Sequence, residues 1–113
     1  MITIYGIPTC GSVKKAIAYL KARGIEHTLV NFRKTPVDAA KIAQWVQKAG
    51  IDTLFNNRGT QYRTLGLAQK NLSNADKEAW LAQENMLIKR PVIELESGSV
   101  LVGYDESIYQ KHF

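Results

Sequence analysis

Apolar and polar positions along the chain fall into two periods. ITIY (2–5) is a short β-branched run closed by Gly6, Pro8 and Gly11 of a tight loop, which predicts a first strand. From Gly11 to Arg23 the period lengthens: Val13, Ala16, Ile17 and Leu20 recur at helical spacing, and Gly24 is placed to end the helix in the left-handed conformation. HTLVNF (27–32) returns to strand character, and a strand reached through a helical crossover lies parallel to the one before it.

In TPVDAAKIAQWVQKAG (35–50), Thr35 is placed to cap a helix, Pro36 suits its first position and Asp38 follows three residues after the cap. Ile42, Val46 and Ala49 form its inward stripe and Gly50 its stop. Residues 51–72 are less regular, with NNRGTQYR (56–63) reading as a loop, and Ser73 opens a capped helix, SNADKEAWLAQEN. KRPVIELESGSVLVG (89–103) reads as two strands around a turn at Glu96 to Ser99, and DESIYQKHF (105–113) as a last helix capped by Asp105. The order β-α-β, helical middle, β-β-α is that of an α/β, thioredoxin-like domain with a four-stranded mixed sheet. The chain therefore reads as one domain over 1–113 with an added helical segment at about 35–88.

Composition narrows the setting. A chain of 113 residues buries a core without staples, and its one cysteine closes no internal bridge. With no signal sequence in view, the expected compartment is the cytoplasm. No apolar run reaches the roughly 20 residues a membrane span needs. The formal charge of +5 is spread over scattered Lys and Arg with no run of five, which argues against a nucleic-acid partner. Nothing in the pattern asks for more than a monomer.

Cys10 stands between the first strand and the first helix. A free cysteine is most often a small buried hydrophobe. At a helix N-terminus, however, unpaired backbone N–H groups and the positive end of the dipole stabilise a thiolate. Gly11 lets a ligand approach the backbone, Ser12 can donate to the sulfur, and Lys14 and Lys15 add positive charge. Position 13, where a Cys-x-x-Cys pair would hold its second thiol, is Val13, so any disulfide step needs a thiol from outside. Arg58 and Arg90 sit where a guanidinium could face the thiol loop, with the planar fork that suits carboxylates and oxyanions, although on residue type alone each reads first as a surface charge. His27 and His112 have no second ligand at metal spacing, and no metal site is expected.

ITIYGIPTCGSVKKA, FNNRGTQYRTLG and IKRPVIELESGSVLVGYDESIYQ, in that order and nearly end to end, resemble the ArsC arsenate reductase family, most closely its Spx/YffB-like branch. The resemblance implies a thioredoxin-like fold with an added helical segment and a nucleophilic Cys10. It also implies anion-binding roles for Arg58 and Arg90, and for Pro91 the place of a cis-proline opposite the cysteine. In ArsC enzymes the cysteine attacks arsenate, and glutathione with glutaredoxin resolves the product. This chain departs from that pattern twice, carrying Lys14 in the cysteine helix and Gly103 after the last strand where those enzymes carry arginines. Loss of one guanidinium weakens binding of a tetrahedral oxyanion by roughly 2–5 kcal/mol.

The resulting expectation is a glutathione-linked thiol oxidoreductase with a single nucleophile, Cys10, and no bound cofactor. Its substrate is a small oxyanion or thiol held by Arg58, Arg90, Gly11, Ser12 and Lys14. Two alternatives stand beside it: a functioning arsenate reductase, and an Spx-like regulator that binds RNA polymerase without catalysis.

Overall fold

Alternation along ITIYG builds the sheet. In the computed structural model, which describes residues 1–113, β1 (Ile2–Gly6) turns Ile2 and Ile4 to one face and Thr3 and Tyr5 to the other. It pairs in parallel with β2 (His27–Asn31), Ile4 opposite Leu29. On its other side it pairs antiparallel with β3 (Val92–Glu94), Ile4 opposite Ile93, and β4 (Val100–Val102) continues antiparallel beside β3. The strand order of the four-stranded sheet is β2-β1-β3-β4.

The chain folds as two compact units, Met1–Thr35 with Arg90–Phe113, and Pro36–Lys89. The first unit holds the sheet with α1 (Gly11–Ala22) and α6 (Glu106–His112). Ile4 and Ile93 meet Ala16, Tyr19 and Leu20 of α1 and Tyr109 of α6 in one buried cluster, so both helices lie on the same face. Burying side chains of this size is worth about 1.5–3 kcal/mol each. On the opposite face the Tyr5 hydroxyl donates to Glu94 Oε1 at 2.9 Å, tying β1 to β3.

The second unit contains α2 (Ala39–Ala49), α3 (Ile51–Leu54), α4 (Thr60–Thr64) and α5 (Asn74–Gln83), with 3-10 turns at Leu67–Gln69 and Asn85–Leu87. Ile42, Trp45, Leu54, Leu67, Leu81, Leu87 and Ile88 are among its buried side chains. Here the sequence pattern needs correcting. Helix α2 begins at Ala39, capped by Asp38, whose carboxylate accepts the Lys41 N–H at 3.0 Å; Thr35 is not its cap. The reason lies far away in sequence. The side chain of Asn85 takes the Val37 N–H at 2.8 Å and donates to the Val37 carbonyl at 3.3 Å, holding that peptide out of the helix. The inward stripe runs through Ile42 and Trp45, with Val46 and Ala49 half-buried. The expected loop at 56–63 ends early, because Thr60 already begins α4. The Ser73 cap is as expected, with Ser73 and Asp76 forming a reciprocal capping box. No helix is long and apolar enough to cross a membrane.

Candidate active site

The loop between β1 and α1 is a tight turn. The Cys10 N–H donates to the Ile7 carbonyl at 3.2 Å, and Pro8 occupies the second position, where its fixed φ suits such a turn. Gly6, just before it, is forced by packing: a Cβ there would stand 2.7 Å from Cγ2 of Val13, a side chain with no solvent exposure. Only glycine lets the end of β1 run this close to the first turn of the helix.

Cys10 is the N-cap of α1. Its backbone is extended (φ −74°, ψ 129°), and its carbonyl already accepts the Lys14 N–H at 3.0 Å. The half-buried sulfur closes no capping hydrogen bond of complete geometry, yet the N–H groups of Val13 and Ser12 and the Arg90 guanidinium act on it. Burial pushes the thiol up. The two amides and the hydrogen bond and charge of Arg90 more than offset this, leaving Cys10 below its ordinary value. The arrangement is a thiol at a helix N-terminus whose ionised form is favoured by oriented amides and one cation.

Arg90 immediately precedes β3, and the Arg90–Pro91 peptide is cis. Gly11 is exposed, and a Cβ on it would meet nothing within 4 Å. Ser12 contributes its backbone N–H to the thiol, and Lys14 is exposed on α1. The structure thus brings Cys10, Ser12 and Arg90 together, and Gly11, Lys14 and Pro91 share the first unit with them. Arg58 belongs to the second unit, where it is exposed ahead of α4. Its N–H donates to Asn56 Oδ1 at 3.1 Å and its carbonyl accepts from Arg63 Nη1 at 3.3 Å. No three His, Cys, Asp or Glu residues gather where they could hold a metal ion.

Two connected residues take a part that the sequence reading of the site does not give them. The N–H of Gly103, at φ +80°, donates to the Pro91 carbonyl at 2.7 Å, and its carbonyl accepts the Tyr109 hydroxyl at 2.8 Å. Hydrophobic spacing marks Tyr109 only as an apolar position on a terminal helix.

A mixed sheet entered through β1-α1-β2, with a cysteine at the N-terminus of α1 and an arginine–proline pair opening β3, defines a thiol domain of the thioredoxin-like class. The chain belongs to the ArsC family, which it matches over residues 5–112. It is 40% identical to an uncharacterised protein of Haemophilus influenzae over 114 aligned residues, covering 100% of this chain and 99% of that one. It is 28% identical to an arsenate reductase of Rhizobium meliloti, covering 95% of this chain and 78% of that protein. The solved structure of the YFFB protein superposes with a TM-score of 0.90 at 30% identity, covering 98% of this chain and 97% of that one.

Proposed function

We propose that the protein is a glutathione-dependent thiol oxidoreductase in which Cys10 is the only nucleophile. The observation that carries this reading is the convergence of the Val13 and Ser12 amides and the Arg90 guanidinium on one sulfur at a helix N-terminus. Membership of a family with relatives named arsenate reductase supports redox chemistry at that sulfur.

The reaction runs in two exchanges. The Cys10 thiolate attacks a sulfur of a glutathione mixed disulfide and forms a new disulfide to the glutathionyl group. The old bond breaks, and its second sulfur leaves as a thiolate that takes up a proton. A second glutathione thiolate then attacks the Cys10-bound sulfur, giving glutathione disulfide and regenerating the Cys10 thiolate. In balance, the second sulfur of the substrate goes from disulfide to thiol and the one entering glutathione thiol goes from thiol to disulfide, with no other oxidant or reductant. Since the chain has no second cysteine, the closing thiol comes from outside. Glutaredoxin is the candidate protein partner for the same step. Arg90 holds the thiolate and an incoming carboxylate. The reaction suits the cytoplasm, where glutathione keeps thiols reduced.

Arsenate is the less favoured substrate. Gly103, where the family resemblance places a third arginine, has φ +80°, a conformation that disfavours any side chain, and both of its backbone polar groups are engaged. Incubation with glutathione disulfide, followed by intact-protein mass spectrometry, tests the proposal. One glutathionyl group adds to the wild type, none to Cys10→Ser, and added glutathione reverses the adduct. Turnover or adduct in Cys10→Ser, or none in the wild type, refutes it. In parallel, arsenite release from arsenate stays at the no-enzyme level.

A further inference from the structure

The last helix reaches the thiol site without touching it. Asp105 caps α6, its Oδ1 accepting the N–H of Ser107 at 3.0 Å and of Ile108 at 3.4 Å, and the Tyr109 N–H returns to the Asp105 carbonyl at 2.9 Å. That turn folds the Tyr109 ring inward to 1% exposure. Three aromatic edges clamp it, with centroids of Tyr104 at 5.1 Å, Tyr19 at 5.5 Å and Phe113 at 5.6 Å. Held this way, its hydroxyl donates to the Gly103 carbonyl at 2.8 Å, and the Gly103 N–H donates to the Pro91 carbonyl at 2.7 Å. Pro91 is covalently next to Arg90, whose guanidinium faces the Cys10 sulfur.

We propose that Tyr109 is a positioning residue, holding Arg90 against the Cys10 sulfur through Gly103 and Pro91. The inference rests on the reading of Cys10 as the nucleophile and adds to it the part that fixes the cation. Both links are short and run to backbone, so they constrain the chain that carries Arg90 rather than a mobile side chain. Burial, with Tyr104 and Asp105 nearby, pushes the Tyr109 hydroxyl well above the usual phenol range, and it remains a donor wherever the thiol titrates. Glycine at 103 is part of the device, since the φ of +80° that aims both its polar groups is strained for other residues. The other charged groups near the loop, Lys14 and Lys15, are exposed on α1 and independent of these links.

The test is the pH dependence of Cys10 alkylation by iodoacetamide, which needs no physiological substrate. Tyr109→Phe keeps the ring packing and deletes one hydrogen bond. It slows alkylation below the thiol midpoint by about two- to fivefold, a part of what one net hydrogen bond commands. Arg90→Gln slows it more, and adding Tyr109→Phe in that background changes nothing further. A purely structural role would lower the melting temperature without this dependence on Arg90. The proposal is overturned if Tyr109→Phe alkylates like the wild type, or if its slowing persists undiminished beside Arg90→Gln. Should Tyr109→Phe not fold, Gly103→Ala, which strains the same pair of links from the middle, must reproduce the slowing; an unchanged rate there overturns the proposal equally. Failure of the glutathione assay with the coupling intact would sink the proposed substrate and leave the positioning role standing.

Discussion

Replacing Gly6 by alanine presses a methyl group from the end of β1 against Val13 in the first turn of α1. The new Cβ would stand 2.7 Å from Cγ2 of Val13, about an ångström inside ordinary contact. Val13 cannot swing aside, because it is β-branched and fully buried, so the strand end or the first turn of α1 must shift. Overpacking of this kind costs about 1–3 kcal/mol. Against it stands about 0.4–1 kcal/mol from the lower entropy of the unfolded alanine chain, leaving a net loss of about 1–2 kcal/mol. For a chain of 113 residues the unfolding entropy is about 0.24 kcal/mol/K, so the melting temperature falls by about 4–8 °C. The assay is thermal unfolding by circular dichroism on Gly6→Ala, Val13→Ala and the double variant. Val13→Ala alone costs about 2 kcal/mol in lost burial. In the double variant the alanine methyl occupies space that Val13 vacated, and the loss falls short of the two single losses together by about 1–2 kcal/mol. A Gly6→Ala protein melting within 2 °C of the wild type, or two losses that simply add, refutes the packing account.

Asn85→Ala strips a buried amide that accepts from Val37 and donates to the Val37 and Leu81 carbonyls; stability falls by about 2–4 kcal/mol in urea titration, and a loss under 1 kcal/mol contradicts the accounting. Gly11→Ala meets no neighbour at the first helical position, so it raises stability by about 0.5–1 kcal/mol while slowing glutathionylation of Cys10 through crowding at the backbone; unchanged kinetics would show that substrate does not pass there. Cys10 sits below its ordinary value when folded and near 8.5 when unfolded, so the unfolded chain binds more protons between the two. The stability advantage of wild type over Cys10→Ser therefore grows as pH rises through that window and is lost as pH falls through the folded value; a difference in melting temperature that is flat or shrinks with rising pH contradicts the thiolate assignment.

What the sequence carries well is what depends on neighbours. The period of two in ITIY, the change to helical spacing at Gly11, and the Ser73 and Asp105 caps all come from local rules, and the folded chain follows them. The start of α2 fails for the opposite reason: Thr35 and Pro36 are good local signals, but Asn85, 48 residues from Val37, decides the backbone there. The site divides the same way. Cys10 and its amides follow from a strand meeting a helix, and residue type and its place before Pro91 mark Arg90. No spacing in the chain ties Tyr109 to Pro91, because that connection runs through two backbone groups of a glycine. Gly6 looked like turn punctuation, and its real constraint, the Val13 methyl group, exists only once the helix is docked.

The strand order also sets a timetable. β1 lies at the middle of the sheet, yet its second neighbour, β3, is translated only after the whole of 36–89. At about 5–20 residues per second, that stretch holds β1 half-paired for roughly 3–10 s on the ribosome. Arg90, Gly103 and Tyr109 follow in that order. Until Arg90 is made, the nascent chain carries Cys10 without the guanidinium that helps to lower its thiol.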